Sequence, residues 1–173
     1  MRRGQTMIEA MIAMSLLVIG FLGVIALLNR SVGVNRVVAD NISATYLAAE
    51  GVEVVKNMLD GNYIQGRPFF THFASCAPCV WEVQHDTDWD NPPRAYAARR
   101  LWYNGATGFY SQQAFGEETP FTRRVEVRLG GPNNNELVVR SVVDWRGRGG
   151  GQSSVDIEDR FYNWFPSPAP PGP

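Results

Sequence analysis

Charge is what the first part of this chain lacks. Across residues 7–28 the only charged side chain is Glu9, and residues 10–28 carry none. The mean hydropathy of the whole chain, −0.20, is that of an ordinary soluble protein, so the apolar residues are crowded at one end. At 1.5 Å per residue the run spans roughly 30 Å, the thickness of a bilayer's hydrocarbon core. An excess of basic charge is also missing. Sixteen Lys and Arg stand against 17 Asp and Glu, net −1, and loss of Arg2 and Arg3 would leave 14 against 17, or −3. No global basic field draws the chain to nucleic acid or to an anionic surface. Cysteine and histidine number two each. Zinc held by Cys76 and Cys79 would need two further ligands, and only His72 and His85 could supply imidazole. A thioredoxin-like use of Cys76-Ala-Pro-Cys79 would need a helix after Cys76, whereas Pro78-Cys79-Val80-Trp81 favours a turn into a strand. A small structural disulfide, on the far side of a membrane segment where disulfides persist, is the expected role of the pair.

Proline is absent from residues 29–59. There apolar residues recur at helical spacing as Val34, Val38, Ile42, Thr45, Ala49, Val52 and Leu59, interrupted at Lys56. One helix is therefore expected from about Thr6 to Leu59, stopping at Asp60-Gly61-Asn62. Its first half is apolar all round and its second half one-sided, which suits a membrane at one end and a packed sheet at the other.

The order of segments at the N-terminus is not that of a secretory signal peptide, where a cleavage site follows the apolar stretch. Here Arg2 and Arg3 are followed at once by Gly4-Gln5-Thr6-Met7-Ile8-Glu9, and the chain runs past Leu28 into Asn29-Arg30-Ser31 with no Ala-x-Ala site. A small residue before the apolar run implies a cut on the cytoplasmic face, with the helix retained. Glu9 then sits just inside an apolar span, where a carboxylate costs on the order of 3 kcal/mol at the bilayer centre and less at its edge. No Lys or Arg lies three or four residues away on either side. A cation from another molecule is the natural partner; snorkelling to the interface is the plainer alternative.

The segment Gly4-Gln5-Thr6-Met7-Ile8-Glu9-Ala10 resembles the class III leader junction of type IV prepilins and pseudopilins. In that family a prepilin peptidase cuts after the glycine, the new N-terminus is methylated, and a glutamate five residues in guides assembly. The resemblance thus implies cleavage after Gly4, N-methylation at Gln5, and Glu9 as the assembly residue, pairing with the N-terminal amine of a neighbouring subunit. One departure is Gln5, where the family usually has Phe. Residues 15–28, with Gly20 and Gly23, and residues 48–57 are similar to the PilV branch of minor pilins and to the minor pseudopilins of type II secretion. Residues 119–164 also look like the C-terminal half of such proteins.

Beyond the helix the pattern is irregular until residue 120, with short strand candidates at 80–84, 99–103 and 108–111. Three clearer runs follow, at 121–129, 137–146 and 154–164, separated by turns rich in Gly and Asn; they read as an antiparallel meander. The expected fold is α+β: a long N-terminal helix, half transmembrane and half amphipathic, packed on a C-terminal antiparallel sheet, which is the type IV pilin fold. The expected organisation is a cleaved leader at 1–4, the membrane half of the stem at 5–29, its amphipathic half at 30–60, an extracytoplasmic β-rich head at 61–165, and a Pro-rich extended tail at 166–173.

Other motifs carry less. Asp86-Thr-Asp-Trp-Asp-Asn91 opens like a calcium loop but has Asn91 at its sixth position and Ala97 at its twelfth, where glycine and a bidentate glutamate belong. A solvated acidic loop is the expectation. Arg99-Arg100, Arg123-Arg124, Arg146 and Arg148 could line a DNA strip, but adjacent strand residues point to opposite faces, so solvated sheet charges are expected instead. The tryptophans are assigned to core and sheet packing rather than to a carbohydrate platform. No nucleophile motif surrounds either histidine, and neither an enzyme nor a cofactor is expected. The sequence therefore reads as a minor pilin subunit of a type IV pilus, with a minor pseudopilin of type II secretion next to it. A membrane-tethered binding or adhesin module that never polymerises is the alternative of another class. The expected partners are other pilins or pseudopilins through their stem helices, the prepilin peptidase, the inner-membrane assembly platform, and lipid before assembly, with no nucleic acid. The expected location is single-pass in the inner (cytoplasmic) membrane, N-terminus cytoplasmic, and then the filament with the head extracytoplasmic.

Overall fold

A computed structural model describes residues 3–75, 78–88, 90–147 and 150–163, with backbone alone at residues 3–6 and 133. The proposed tail, 166–173, lies outside them. One α-helix, α1 (Arg3–Ile64), opens the chain. Among the described residues seven strands follow: β1 (Cys79–Glu82), β2 (Arg94–Ala95), β3 (Arg100–Tyr103), β4 (Tyr110–Ser111), β5 (Glu117–Gly130), β6 (Glu136–Arg146) and β7 (Gln152–Tyr162). The class is α+β. The chain divides into two compact units, Met1–Asp40 and Asn41–Pro173.

Over its described residues the first unit is helix alone. Residues 7–39 are all exposed, including every large apolar side chain from Met7 to Val38. Helix α1 is long and apolar enough near its N-terminus to cross a membrane. Within the uncharged run the Ser15 hydroxyl donates to the Met11 carbonyl at 2.8 Å, the usual way a hydroxyl is hidden in an apolar helix.

In the second unit the rest of α1 lies on the sheet through Ala44, Leu47, Ala48, Val52, Val55, Met58 and Leu59, all buried. This corrects the expected face. Val52 and Leu59 are on it, but Ile42, Thr45 and Ala49 are exposed, so the true stripe is turned by about one residue. The reason is size. Ala44, Ala48 and Gly51 bring the helix backbone close to the sheet, and spacing judged from larger side chains follows the wrong edge. At Gly51 an added Cβ would overlap Ser141 Oγ and lie 3.2 Å from Val125 Cγ2.

The helix also runs past its expected stop. Asp60-Gly61-Asn62 stays helical, and α1 ends instead at Ile64, just before the capping residue Gly66 (φ 67°). The Arg67 N–H donates to the Asn62 carbonyl (2.9 Å) and the Gly66 N–H to the Tyr63 carbonyl (3.1 Å). These are the two bonds of a Schellman cap, which needs a left-handed residue that glycine supplies without strain.

Strand β5 organises the sheet. It pairs along one side with β6, and along the other with β3 over its first half and β1 over its second; β2, β4 and β7 form the margins. All pairs are antiparallel, and the β5–β6–β7 meander follows the sequence reading. The sheet is curled, and its register shifts between Arg100 and Trp102, where β5 carries two extra residues. Pro120 sits in that bulge, where the missing N–H takes nothing from the ladder, and the Thr119 hydroxyl donates to the Leu101 carbonyl at 2.6 Å. Strand β5 therefore begins at Glu117 rather than near residue 121. The short β2, which follows Pro92-Pro93, has no counterpart in the sequence reading. Two core clusters form between helix and sheet. One joins Ala44, Leu47 and Ala48 to Leu101, Phe121, Val143 and Trp145. The other joins Val52, Val55, Met58 and Leu59 to Phe73, Val83, Val125, Val127, Leu137 and Val139.

Candidate functional site

The N-terminal residues singled out above fall on the first turns of α1. Gly4 and Gln5 lie within it, with only their backbone described. Glu9 is exposed one turn further, and among the described residues it makes no ion pair or hydrogen bond within the chain. Around it stand Met7, Ile8, Met11 and Ile12, each more than half exposed. A carboxylate thus lies in an otherwise apolar surface, with nothing among the described residues to neutralise it. Gly20 and Gly23 lie on the same helix with open space where a Cβ would point, so no contact within the chain calls for their smallness.

Cys79, the first residue of β1, is disulfide-bonded. Cys76, the only other cysteine of the chain, lies outside the described residues.

The arginines are where the structure departs most from expectation. Arg123 is not a solvated sheet charge: its side chain is fully buried. Its Nη1 donates to the Leu47 carbonyl of α1 (2.9 Å) and lies 3.1 Å from Glu50 Oε2; its Nη2 donates to the Val83 carbonyl (2.7 Å). Nε is buried without a partner among the described residues. Glu50, on α1, keeps 31% of its side chain exposed. It also faces Tyr110, whose hydroxyl is pushed above its usual pKa by burial first, then by Tyr103 and Glu50. One buried guanidinium therefore ties α1 to β5 and to the segment after β1. Its signal was present in the sequence. Phe121, Arg123, Val125 and Val127 alternate on one face of β5, so one arginine of the 123–124 pair had to point inward.

Arg124 points the other way and pairs with Glu126 and Asp144. The outer face of the meander continues with Arg140 to Glu126 and Asp156, and Arg160 to Glu136 and Glu158. Val138 and Val142 are buried on this face, beside Arg124, Arg128 and Arg160 in register, whose methylene stems are long enough to cover them. Arg124, Arg140 and Arg160 are occupied by neighbouring carboxylates rather than aligned as a free cationic strip.

A second buried charge, Glu82, was also missed. Its side chain is 1% exposed and accepts from the Ala97 and Arg99 N–H groups (3.0 and 3.2 Å) and from Arg99 Nε (2.8 Å). This clamp holds residues 97–99, including Ala98 at φ 54°, a conformation that non-glycine residues adopt only when tied down.

In the acidic loop, Asp88 Oδ1 accepts the N–H groups of Asp90 (2.9 Å) and Asn91 (2.8 Å), and Asn91 Nδ2 donates to the Asp86 carbonyl (3.1 Å). These carboxylate and amide groups organise a turn. Among the described residues no three His, Cys, Asp or Glu side chains converge as a metal site. Asp88 and Asp90 line a cavity of about 150 Å³ with Arg67, His72 and the last turns of α1. His72 is held below its ordinary pKa, first by burial and then by Arg67. His85 lies flat on Phe109, with ring centroids 4.4 Å apart, away from that cavity's lining.

No family model, curated protein or solved structure gives a significant match to this chain.

Proposed function

We propose that this chain is a minor pilin with the type IV pilin fold, cut after Gly4 and assembled into a type IV pilus through its N-terminal helix. The observation that carries the reading is Glu9: one carboxylate, without a partner among the described residues, set five residues after Gly4 in an apolar stretch of helix that is exposed throughout residues 7–39. Supporting it is the continuity of α1 from Arg3 to Ile64, with a second stretch that docks on an antiparallel meander.

The mechanism follows from the electrostatics. In the bilayer, an ionised Glu9 near the membrane edge is destabilised by a few kcal/mol at most. The amine freed at Gln5 by the cut is a cation of the right kind and at the right depth. In this reading its partner is the Glu9 of a neighbouring subunit, displaced along the stem, rather than its own Glu9, since an exposed contact one helical turn away is worth only about 0.2–0.5 kcal/mol. Pairing in a low-dielectric setting is then worth more than it would be in water, and it draws the incoming helix into register. Burial of the exposed stem side chains against other stems completes the assembly, and the open Cβ directions at Gly20 and Gly23 leave room for close helix approach. The partners in this reading are other pilins, the prepilin peptidase, the inner-membrane assembly platform and, before assembly, lipid.

Glu9→Ala tests the proposal. The variant is expected to reach the membrane and be cut normally yet be absent from sheared filaments. Normal incorporation would refute the role given to Glu9 and leave a simple membrane anchor.

A further inference from the structure

We draw no further inference here: the strongest candidate, the surface patch formed by exposed Phe109, stacked on His85, and Phe115 in the loops flanking β4, is an unpartnered apolar face, and nothing in the structure shows what covers it.

Discussion

Removing the negative charge at Glu50 should cost more stability than removing the positive charge at Arg123. Glu50→Gln leaves a guanidinium with no exposed surface and no counter-charge; Leu47 and Val83 still offer carbonyls, but a carbonyl dipole does not neutralise a full charge. Breaking a buried ion pair from one side costs about 3–5 kcal/mol. Water reaches part of Glu50, and rearrangement there can hydrate the exposed edge of the site, so the expected loss is about 1–3 kcal/mol. For a domain of this size that corresponds to roughly 4–12 °C in melting temperature. Arg123→Met acts differently. Methionine fills similar space, Glu50 can turn to solvent, and the Val83 carbonyl keeps its bond from Gln112 Nε2 at 3.1 Å. Its loss should be under about 1.5 kcal/mol, and the double variant should be more stable than Glu50→Gln alone. Thermal unfolding of the detergent-solubilised protein, followed through the near-ultraviolet signal of the buried aromatic core, measures all three. If Arg123→Met proved worse than Glu50→Gln, or Glu50→Gln cost nothing, the guanidinium would not be held by the balance described.

Two further outcomes follow from the same packing. Gly51→Ala places a methyl against Ser141 Oγ and Val125 Cγ2 and should destabilise by about 1–3 kcal/mol; Ser141→Ala in the same chain should recover part of it, and equal losses with and without that second change would contradict a clash at this point. His72 resists protonation in the folded state, so stability should be fullest above its unfolded pKa of about 6.5 and fall as pH drops below that value; the slope should shrink in His72→Gln, and urea titrations at pH 5 and 7.5 would show an unchanged slope if another group were responsible.

Much of this fold was legible because its signals are local. An uncharged run of bilayer length, an absence of proline and alternating strands around Gly- and Asn-rich turns each act within a few residues. The helix face was misread because Ala44, Ala48 and Gly51 earn their buried places by being small, and smallness matters only once a sheet lies against them. The stop at Gly66 was passed over for Gly61, which has the same residue type but lacks the cap bonds from Gly66 and Arg67. Pro120 suggested a boundary where the chain forms a bulge, since the cost of proline in a strand vanishes where the ladder is already broken. Arg123 and Glu82 show the same limit. Each is a charge whose partners lie on other elements, Glu50 on α1 for one and Arg99 beyond β2 for the other; alternation along β5 turns one arginine of the 123–124 pair inward, but the partners that hold these charges are not displayed by sequence spacing. At the N-terminus the position is reversed. Gly4, Gln5 and Glu9 are readable in order along the chain, while the partner proposed for Glu9 is a second molecule.

The mass of the mature N-terminal peptide is the most direct test of that assignment. Purified from cells with an active prepilin peptidase, the chain should begin at Gln5, with or without one added methyl group. A mature chain that still begins at Met1 under those conditions would contradict the account.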